Sequence, residues 1–105
     1  MARTNIKAII QSDIHNIWKI VLAVENYDKW RSDVSKTEII NEKKFIEYTK
    51  DGYSTTFTVT VIKPLNRWEF DMENTNMKGH WVGIFTSKDD KTEIDFTEQV
   101  TAKKF

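Results

Sequence analysis

The stretch YSTTFTVTVIKPLNRWEFDMEN, residues 53–74, decides the fold of this chain. On each side of a short turn at residues 63–66, large apolar residues alternate with polar ones. A period of two is typical of a β-strand with one buried face and one solvated face. Pro64 suits the turn, because proline cannot donate to the hydrogen-bond ladder of a central strand. The stretch therefore predicts two antiparallel strands joined as a hairpin.

The same alternation continues on both sides of this hairpin and predicts a longer meander. Asp51-Gly52 precedes it and favours a two-residue type I′ turn. The predicted strands are 34–40, 43–50, 53–62, 67–74, 78–87 and 92–100, with a further strand at 3–10.

The residues after the first strand predict two short helices. From Ile14 to Val21, apolar residues recur at the spacing i, i+3, i+4, i+7, which marks one face of a helix. Ser12 is the expected N-cap of this helix, which we predict over residues 13–23. Residues 25–30 predict a second short helix. The fold class is therefore α+β, with one strand, two short helices and a six-stranded meander forming one curved seven-stranded sheet.

The strand registers can be tested for consistency, because directly opposed residues of an antiparallel pair share a face. With loops at 51–52, 63–66 and 88–91, nearly all large apolar residues of the strands fall on one face. A one-residue slip would move a strand's apolar side chains to the other face. The predicted opposed pairs are Tyr48–Thr55, Ile46–Phe57, Val61–Trp68, Val59–Phe70, Phe57–Met72, Phe70–Trp81, Trp68–Gly83, Phe85–Ile94, Gly83–Phe96 and Trp81–Glu98.

Length and composition narrow the function classes. The 105 residues predict a single domain, 1–105. Lysine plus arginine and aspartate plus glutamate both count 16, which argues against a nucleic-acid binder that neutralises phosphates. The absence of cysteine excludes disulfides and a thiol nucleophile. The sequence has neither a signal-peptide pattern nor an apolar run long enough for a membrane span, so we expect a cytoplasmic protein.

The predicted helix is too short to cover the apolar face of the predicted sheet. Seven strands span roughly 30 Å at about 4.8 Å per strand, whereas a helix of eleven residues is only about 16 Å long. A large uncovered apolar patch indicates a ligand site, a partner interface or a missing element.

The sequence resembles the START-like superfamily, also called SRPBCC or the polyketide cyclase/dehydrase group. Ile17-Trp18 stands where the family usually has a Val-Trp-like pair, and residues 26–30 are similar to its Asn-Tyr-Pro-x-Trp segment without the proline. Residues 64–68 resemble the family's turn before a strand. Residues 79–81 and 91–94 resemble its Gly-x-Trp and Gly-Thr-x-Val elements, with lysine in place of the second glycine.

The resemblance implies a helix-grip fold, in which the sheet grips a long C-terminal helix and a cavity lies between them. Because the sequence stops at Phe105, where that helix should begin, the resemblance predicts a domain truncated at its C-terminus. The alternatives are that another chain covers the apolar face, as in a homodimer, or that a different packing of this chain does so.

The candidate ligand-binding residues are the large side chains of the predicted apolar face and of the second helix. Taken singly, each residue of the sheet face is more often an ordinary core residue than a ligand contact. By resemblance, Tyr27 and Trp30 cap one mouth of the cavity. The full candidate set is Tyr27, Trp30, Tyr48, Phe57, Val59, Trp68, Phe70, Met72, Trp81, Phe85 and Phe96.

Catalytic and metal-binding candidates are few. Glu98 is the carboxylate that the predicted registers place on the apolar face, where it is a weak candidate for a general acid or base. The alternative is a strand-end carboxylate in water or paired with a lysine. His15 and His80 lack the spacing of metal ligands, so we predict neither a metal nor a cofactor.

Three functions follow in order of preference. The first is binding of an apolar small molecule or lipid on the apolar face. The second is a protein-interaction or self-association module that uses the same face. The third is a cyclase- or dehydratase-type enzyme, for which Glu98 and Tyr48 are the polar candidates.

Overall fold

All seven predicted strands form one antiparallel sheet in the computed structural model, which describes residues 2–103. The spatial order is β1-β7-β6-β5-β4-β3-β2, so each strand from β2 to β7 lies beside its sequence neighbour and β1 closes onto β7. Predicted and observed strand ends differ by a residue or two. The strands are β1 Ala2–Ile10, β2 Lys36–Asn41, β3 Lys44–Tyr48, β4 Ser54–Lys63, β5 Arg67–Glu73, β6 Met77–Lys88 and β7 Lys91–Ala102.

Two short helices separate β1 from the meander, as the sequence predicts. The α-helix α1 runs over Ile14–Leu22, and a 3-10 helix follows over Val24–Lys29. The prediction of Ser12 as the N-cap is wrong. Asp13 takes that position, and its carboxylate accepts hydrogen bonds from the backbone N–H groups of the first turn at 2.9 and 3.1 Å. No helix within residues 2–103 is long and apolar enough to cross a membrane.

Helix α1 packs its apolar stripe onto one end of the sheet. Ile14 and Ile17 are buried, and Trp18 meets Phe85 of β6 edge to face at 5.1 Å between ring centroids. This face of the sheet, here called the apolar face, carries the hydrophobic core. The opposite face, here called the outer face, carries mostly threonine and charged side chains. The helices therefore cover only part of the apolar face.

The registers of β5 with β6 and of β6 with β7 are confirmed, including the pairs Phe70–Trp81 and Trp81–Glu98. The register of β3 with β4 is wrong by one residue. Phe45, not Ile46, lies opposite Phe57. The turn explains the slip: a type I′ turn needs positive φ at both central residues, but only Gly52 has it, at 83°. A five-residue loop, closed by the Thr49 N–H bonding the Tyr53 carbonyl at 2.9 Å, replaces the two-residue turn.

A second correction concerns the end of β4. Val59 pairs with Phe70 as predicted, but Val61 then pairs with Glu69 instead of Trp68, which faces Ile62. The register shifts at Thr60, between Val59 and Val61, where a β-bulge inserts one extra residue into β4 and increases its local twist. Alternation alone cannot show such an insertion, because both sides of the bulge are apolar.

His80 on the outer face lies between two carboxylates. Its Nδ1 is 2.6 Å from Asp71 Oδ1, and its Nε2 is 2.8 Å from Glu69 Oε1. Partial burial lowers the pKa of His80, but the hydrogen bonds and charges of Asp71 and Glu69 outweigh it, so the pKa lies above its usual value of 6.5. Both ring nitrogens can donate only in the protonated form, which this pair of acceptors favours.

This arrangement predicts a pH-dependent stability. Because the folded-state pKa of His80 is raised, its contribution is complete below the unfolded value of 6.5 and is lost as the pH rises through the folded value. We expect His80→Gln to flatten the decline in melting temperature between about pH 6 and pH 8. The matched control is His15→Gln, since His15 is exposed and 3.6 Å from a single carboxylate. An unchanged decline in His80→Gln would contradict the assignment.

Candidate ligand-binding groove

A groove of about 430 Å³ opens on the apolar face beside the 3-10 helix. Strands β3 to β7 form its floor, and the 3-10 helix with the end of α1 forms one wall. We call it the aromatic groove. It is lined by Val21, Tyr27, Trp30, Arg31, Phe45, Glu47, Thr55, Phe57, Trp68, Phe70, Met72, Met77, Trp81, Phe96 and Glu98.

Five aromatic rings, one from each strand of the floor, run across the aromatic groove as a ladder. The ring centroids of Phe45 and Phe57 are 4.9 Å apart, and those of Phe57 and Phe70 are 5.3 Å apart. The next two steps, Phe70 to Trp81 and Trp81 to Phe96, measure 4.9 and 4.8 Å. These separations lie in the favourable range for aromatic pairs. The ladder therefore gives the groove a continuous and well-packed apolar floor.

Gly83 allows Trp81 to join this ladder. A Cβ atom at position 83 would overlap the Trp81 indole, so the ring lies across the space that any other residue would fill. Gly79 has a different neighbour, because a Cβ there would overlap the backbone carbonyl of Gln99 on β7. The two glycines therefore serve different neighbours: Gly83 accommodates an indole, and Gly79 accommodates the backbone of a neighbouring strand.

The wall of the groove is built around Tyr27. Its ring is buried and meets Trp30 edge to face at 5.3 Å, while its hydroxyl donates a hydrogen bond to the carbonyl of Val21. Burial is the largest cause that raises the pKa of the Tyr27 hydroxyl above its usual value, so it remains a neutral donor. Trp30 is 59% exposed and also lines the groove.

Two ion pairs of Arg31 lie beside this wall, and one of them reaches β3 of the floor. The Arg31 guanidinium donates to Glu47 Oε2 at 3.1 Å and to both carboxylate oxygens of Asp33 at 2.7 and 3.2 Å. Burial raises the pKa of Glu47, and the charge of Arg31 opposes that rise without cancelling it. Glu47 is a groove residue that the sequence reading missed, because the β3 register slip assigned it to the outer face.

Glu98 lies on β7 directly opposite Trp81 and lines the groove. Its side chain is half-buried. Within residues 2–103 it forms neither a hydrogen bond nor an ion pair. The sequence therefore placed this carboxylate on the apolar face correctly, and the alternative of a lysine partner finds no support among the described residues.

Nine of the predicted site residues line the groove, and three do not. Tyr48 lies on the outer face, where its hydroxyl donates to Glu38 at 3.0 Å, because the β3 register differs from the prediction. Phe85 is 2% exposed beneath α1, and Val59 packs against the core outside the groove lining. The residues brought together are Tyr27, Trp30, Phe57, Trp68, Phe70, Met72, Trp81, Phe96 and Glu98.

The lining residues that the prediction lacks are Val21, Arg31, Phe45, Glu47, Thr55 and Met77. One signal could have found two of them. Phe45 is the largest apolar residue of its strand, and placing it inward places Glu47 inward as well.

The outer face carries a larger but more open depression of about 860 Å³. Its lining is mostly hydroxyl and charged side chains, such as Thr56, Thr58 and Lys78. Within residues 2–103, no group of His, Asp and Glu side chains is arranged to hold a metal ion. The aromatic groove is therefore the better candidate for a ligand site.

The chain is similar to known proteins in its three-dimensional structure and not in its sequence. No family model and no curated protein matches the sequence. The structure of a START superfamily protein from Mycobacterium smegmatis aligns with 97% of this chain and 78% of its own, at 13% identity and a TM-score of 0.83. A conserved protein from Geobacillus kaustophilus aligns with 97% of this chain and 75% of its own, at 18% identity and a TM-score of 0.83.

A third solved structure, the di-domain ARO/CYC protein BexL from the BE-7585A biosynthetic pathway, aligns with 97% of this chain and 36% of its own. Its identity is 10% and its TM-score 0.77. Such low identities carry information about fold and not about activity. On the agreement of its sheet and helices with these structures, the chain has the START-like fold.

Proposed function

We propose that the aromatic groove binds an apolar small molecule or the chain of a lipid. The observation that carries this proposal is the combination of a 430 Å³ groove with a continuous aromatic floor. Ligand pockets are typically about 300–1,000 Å³, mostly apolar and equipped with a few placed polar groups. The aromatic groove has this composition, with Arg31, Glu47 and Glu98 as its charged groups.

The similarity to a START superfamily structure supports the same proposal, because that fold suggests a hydrophobic ligand site. The exposure of Trp30 supports it further. A tryptophan that lines an apolar groove and is 59% exposed leaves ring surface available to a ligand.

Titration with a neutral apolar dye, whose fluorescence rises in apolar surroundings, tests the proposal. We expect saturable binding at one site, weakened about five-fold by Trp30→Ala, which removes about 1 kcal/mol of aromatic contact. Tyr48→Ala is the matched control, because Tyr48 lies on the outer face. Absence of saturable binding, or equal effects of the two variants, would contradict a ligand site here.

Self-association through the apolar face is the competing function. It is favoured by the exposure of Ile6, which lies on β1 opposite Phe96 and is 58% exposed. Light scattering with and without the dye separates the two functions. A monomer that binds dye supports the ligand site, whereas a dimer that excludes dye supports the interface.

A further inference from the structure

We infer that the ligand of the aromatic groove carries a positive charge, as an apolar molecule bearing an ammonium group. This inference rests on the proposed function, since it names the class of ligand for the same groove. Three features of residues 2–103 support it: the engagement of Arg31 with two carboxylates, the carboxylate of Glu98, which has no partner among these residues, and the aromatic faces around both.

Among residues 2–103, the groove lining contains one cation, Arg31, and two anions, Glu47 and Glu98, and the cation is already engaged. Arg31 directs two of its nitrogens at Asp33, at 2.7 and 3.2 Å, and a third at Glu47, at 3.1 Å. An anionic ligand would therefore have to displace one of these carboxylates or share a donor with it. Planar paired contacts of this kind are the stronger ones that arginine makes. The arginine thus holds the wall together and is poorly available to a fatty-acid carboxylate.

Glu98 supplies the charge that lacks a partner within residues 2–103. It is half-buried on the apolar face, opposite Trp81. Lys103, the described cation nearest to it in sequence, is bound to Glu73 at 2.8 Å. A cationic ligand group near this carboxylate would be attracted to it, and an anionic group would be repelled.

The aromatic surroundings favour the same charge. Ring faces attract cations through their quadrupole, most strongly when the cation is partly desolvated. The wall already uses this contact, because the Arg31 guanidinium lies 5.2 Å from the centre of the Tyr27 ring. Trp81 and Phe96, 4.8 Å apart and beside Glu98, offer two further ring systems. An ammonium group near Glu98 would meet a carboxylate and aromatic rings together.

Three probes with the same alkyl chain and different head groups test the inference: octyltrimethylammonium, octanol and octanoate. We expect calorimetric titration at one ionic strength and neutral pH to show the ammonium probe binding at least ten-fold more tightly than octanoate, with octanol between them. Glu98→Gln should weaken the ammonium probe about ten-fold and leave octanol unchanged. Glu93→Gln is the matched control, because it makes the same charge change on the same strand. Glu93 already forms an ion pair with Lys88, at 3.3 Å.

The outcomes separate this inference from the proposed function. If octanol binds but octanoate binds as tightly as the ammonium probe, the inference is wrong and the apolar site stands. Equal effects of Glu98→Gln and Glu93→Gln on the ammonium probe would also overturn it. If no probe binds, the proposed function fails together with the inference. The wild-type series does not depend on the variants, so a variant that folds poorly leaves the comparison intact.

Discussion

Replacing Trp68 with alanine is expected to lower the free energy of unfolding by about 3–5 kcal/mol. Trp68 is 4% exposed, and its ring contacts those of Phe70 at 5.0 Å, Trp81 at 5.7 Å and Phe45 at 6.5 Å. Truncation would remove these contacts and leave a cavity that the rigid rings around it fill poorly. Because a small domain has about 5–15 kcal/mol of stability in total, the loss would be a large part of it.

Urea unfolding of the wild type and of two tryptophan variants would measure this effect. Trp30→Ala is the control, since Trp30 belongs to the same groove but is 59% exposed. We expect Trp30→Ala to lower the free energy of unfolding by no more than about 1 kcal/mol, although it weakens dye binding. Similar losses of stability in both variants would show that Trp68 is not the core residue that its burial indicates.

Gly83→Ala is the second substitution with a large expected effect, although it adds only one carbon. The new Cβ would overlap the Trp81 indole and lie 3.3 Å from the Phe96 ring, so the indole would have to leave the ladder. Overpacking of this kind costs about 1–3 kcal/mol. Dye binding should fall with it, because the displaced indole would no longer continue the groove floor between Phe70 and Phe96.

A double-mutant cycle with Trp81→Leu would test the cause. If the overlap with the indole is responsible, Gly83→Ala should become neutral in the Trp81→Leu background, because alanine is otherwise preferred to glycine in a strand. We expect a coupling energy of at least about 1 kcal/mol. Gly79→Ala is the contrasting variant. Its new Cβ would overlap the Gln99 carbonyl, so Trp81→Leu should not restore its stability. Equal rescue of both glycine variants would contradict this explanation.

The fold was predictable because its main signals are local. The alternation of Trp68, Phe70 and Met72 with charged residues marks β5 by itself, and similar runs mark its neighbours. The register of β3 with β4 was not predictable in the same way. It depends on whether Asp51 adopts a positive φ, and the residue pair Asp-Gly allows other loops as well. One backbone angle in a turn therefore decides which face a whole strand presents.

The groove was predictable to the extent that it follows from the strands. Residues on β5, β6 and β7 came together as expected because their registers are right. The charged wall was missed for two separate reasons. Glu47 lay on the wrong face in the predicted register, and Arg31 comes after the 3-10 helix, where no period shows its direction. Side chains outside regular elements reach a site through tertiary packing, which a sequence pattern does not encode.

The pairing of the first strand with the last has a consequence for how the chain folds. Ala2 lies opposite Val100, and Ile10 lies opposite Thr92, so β1 has no strand partner until residues 92–100 are available. At about 5–20 residues per second, a ribosome would present β1 several seconds before its partner. The meander can form hairpin by hairpin in that time, because its contacts are close in sequence. After the meander has formed, β1 and α1 can dock onto it together, which pairs β1 with β7 and buries Phe85 beneath α1.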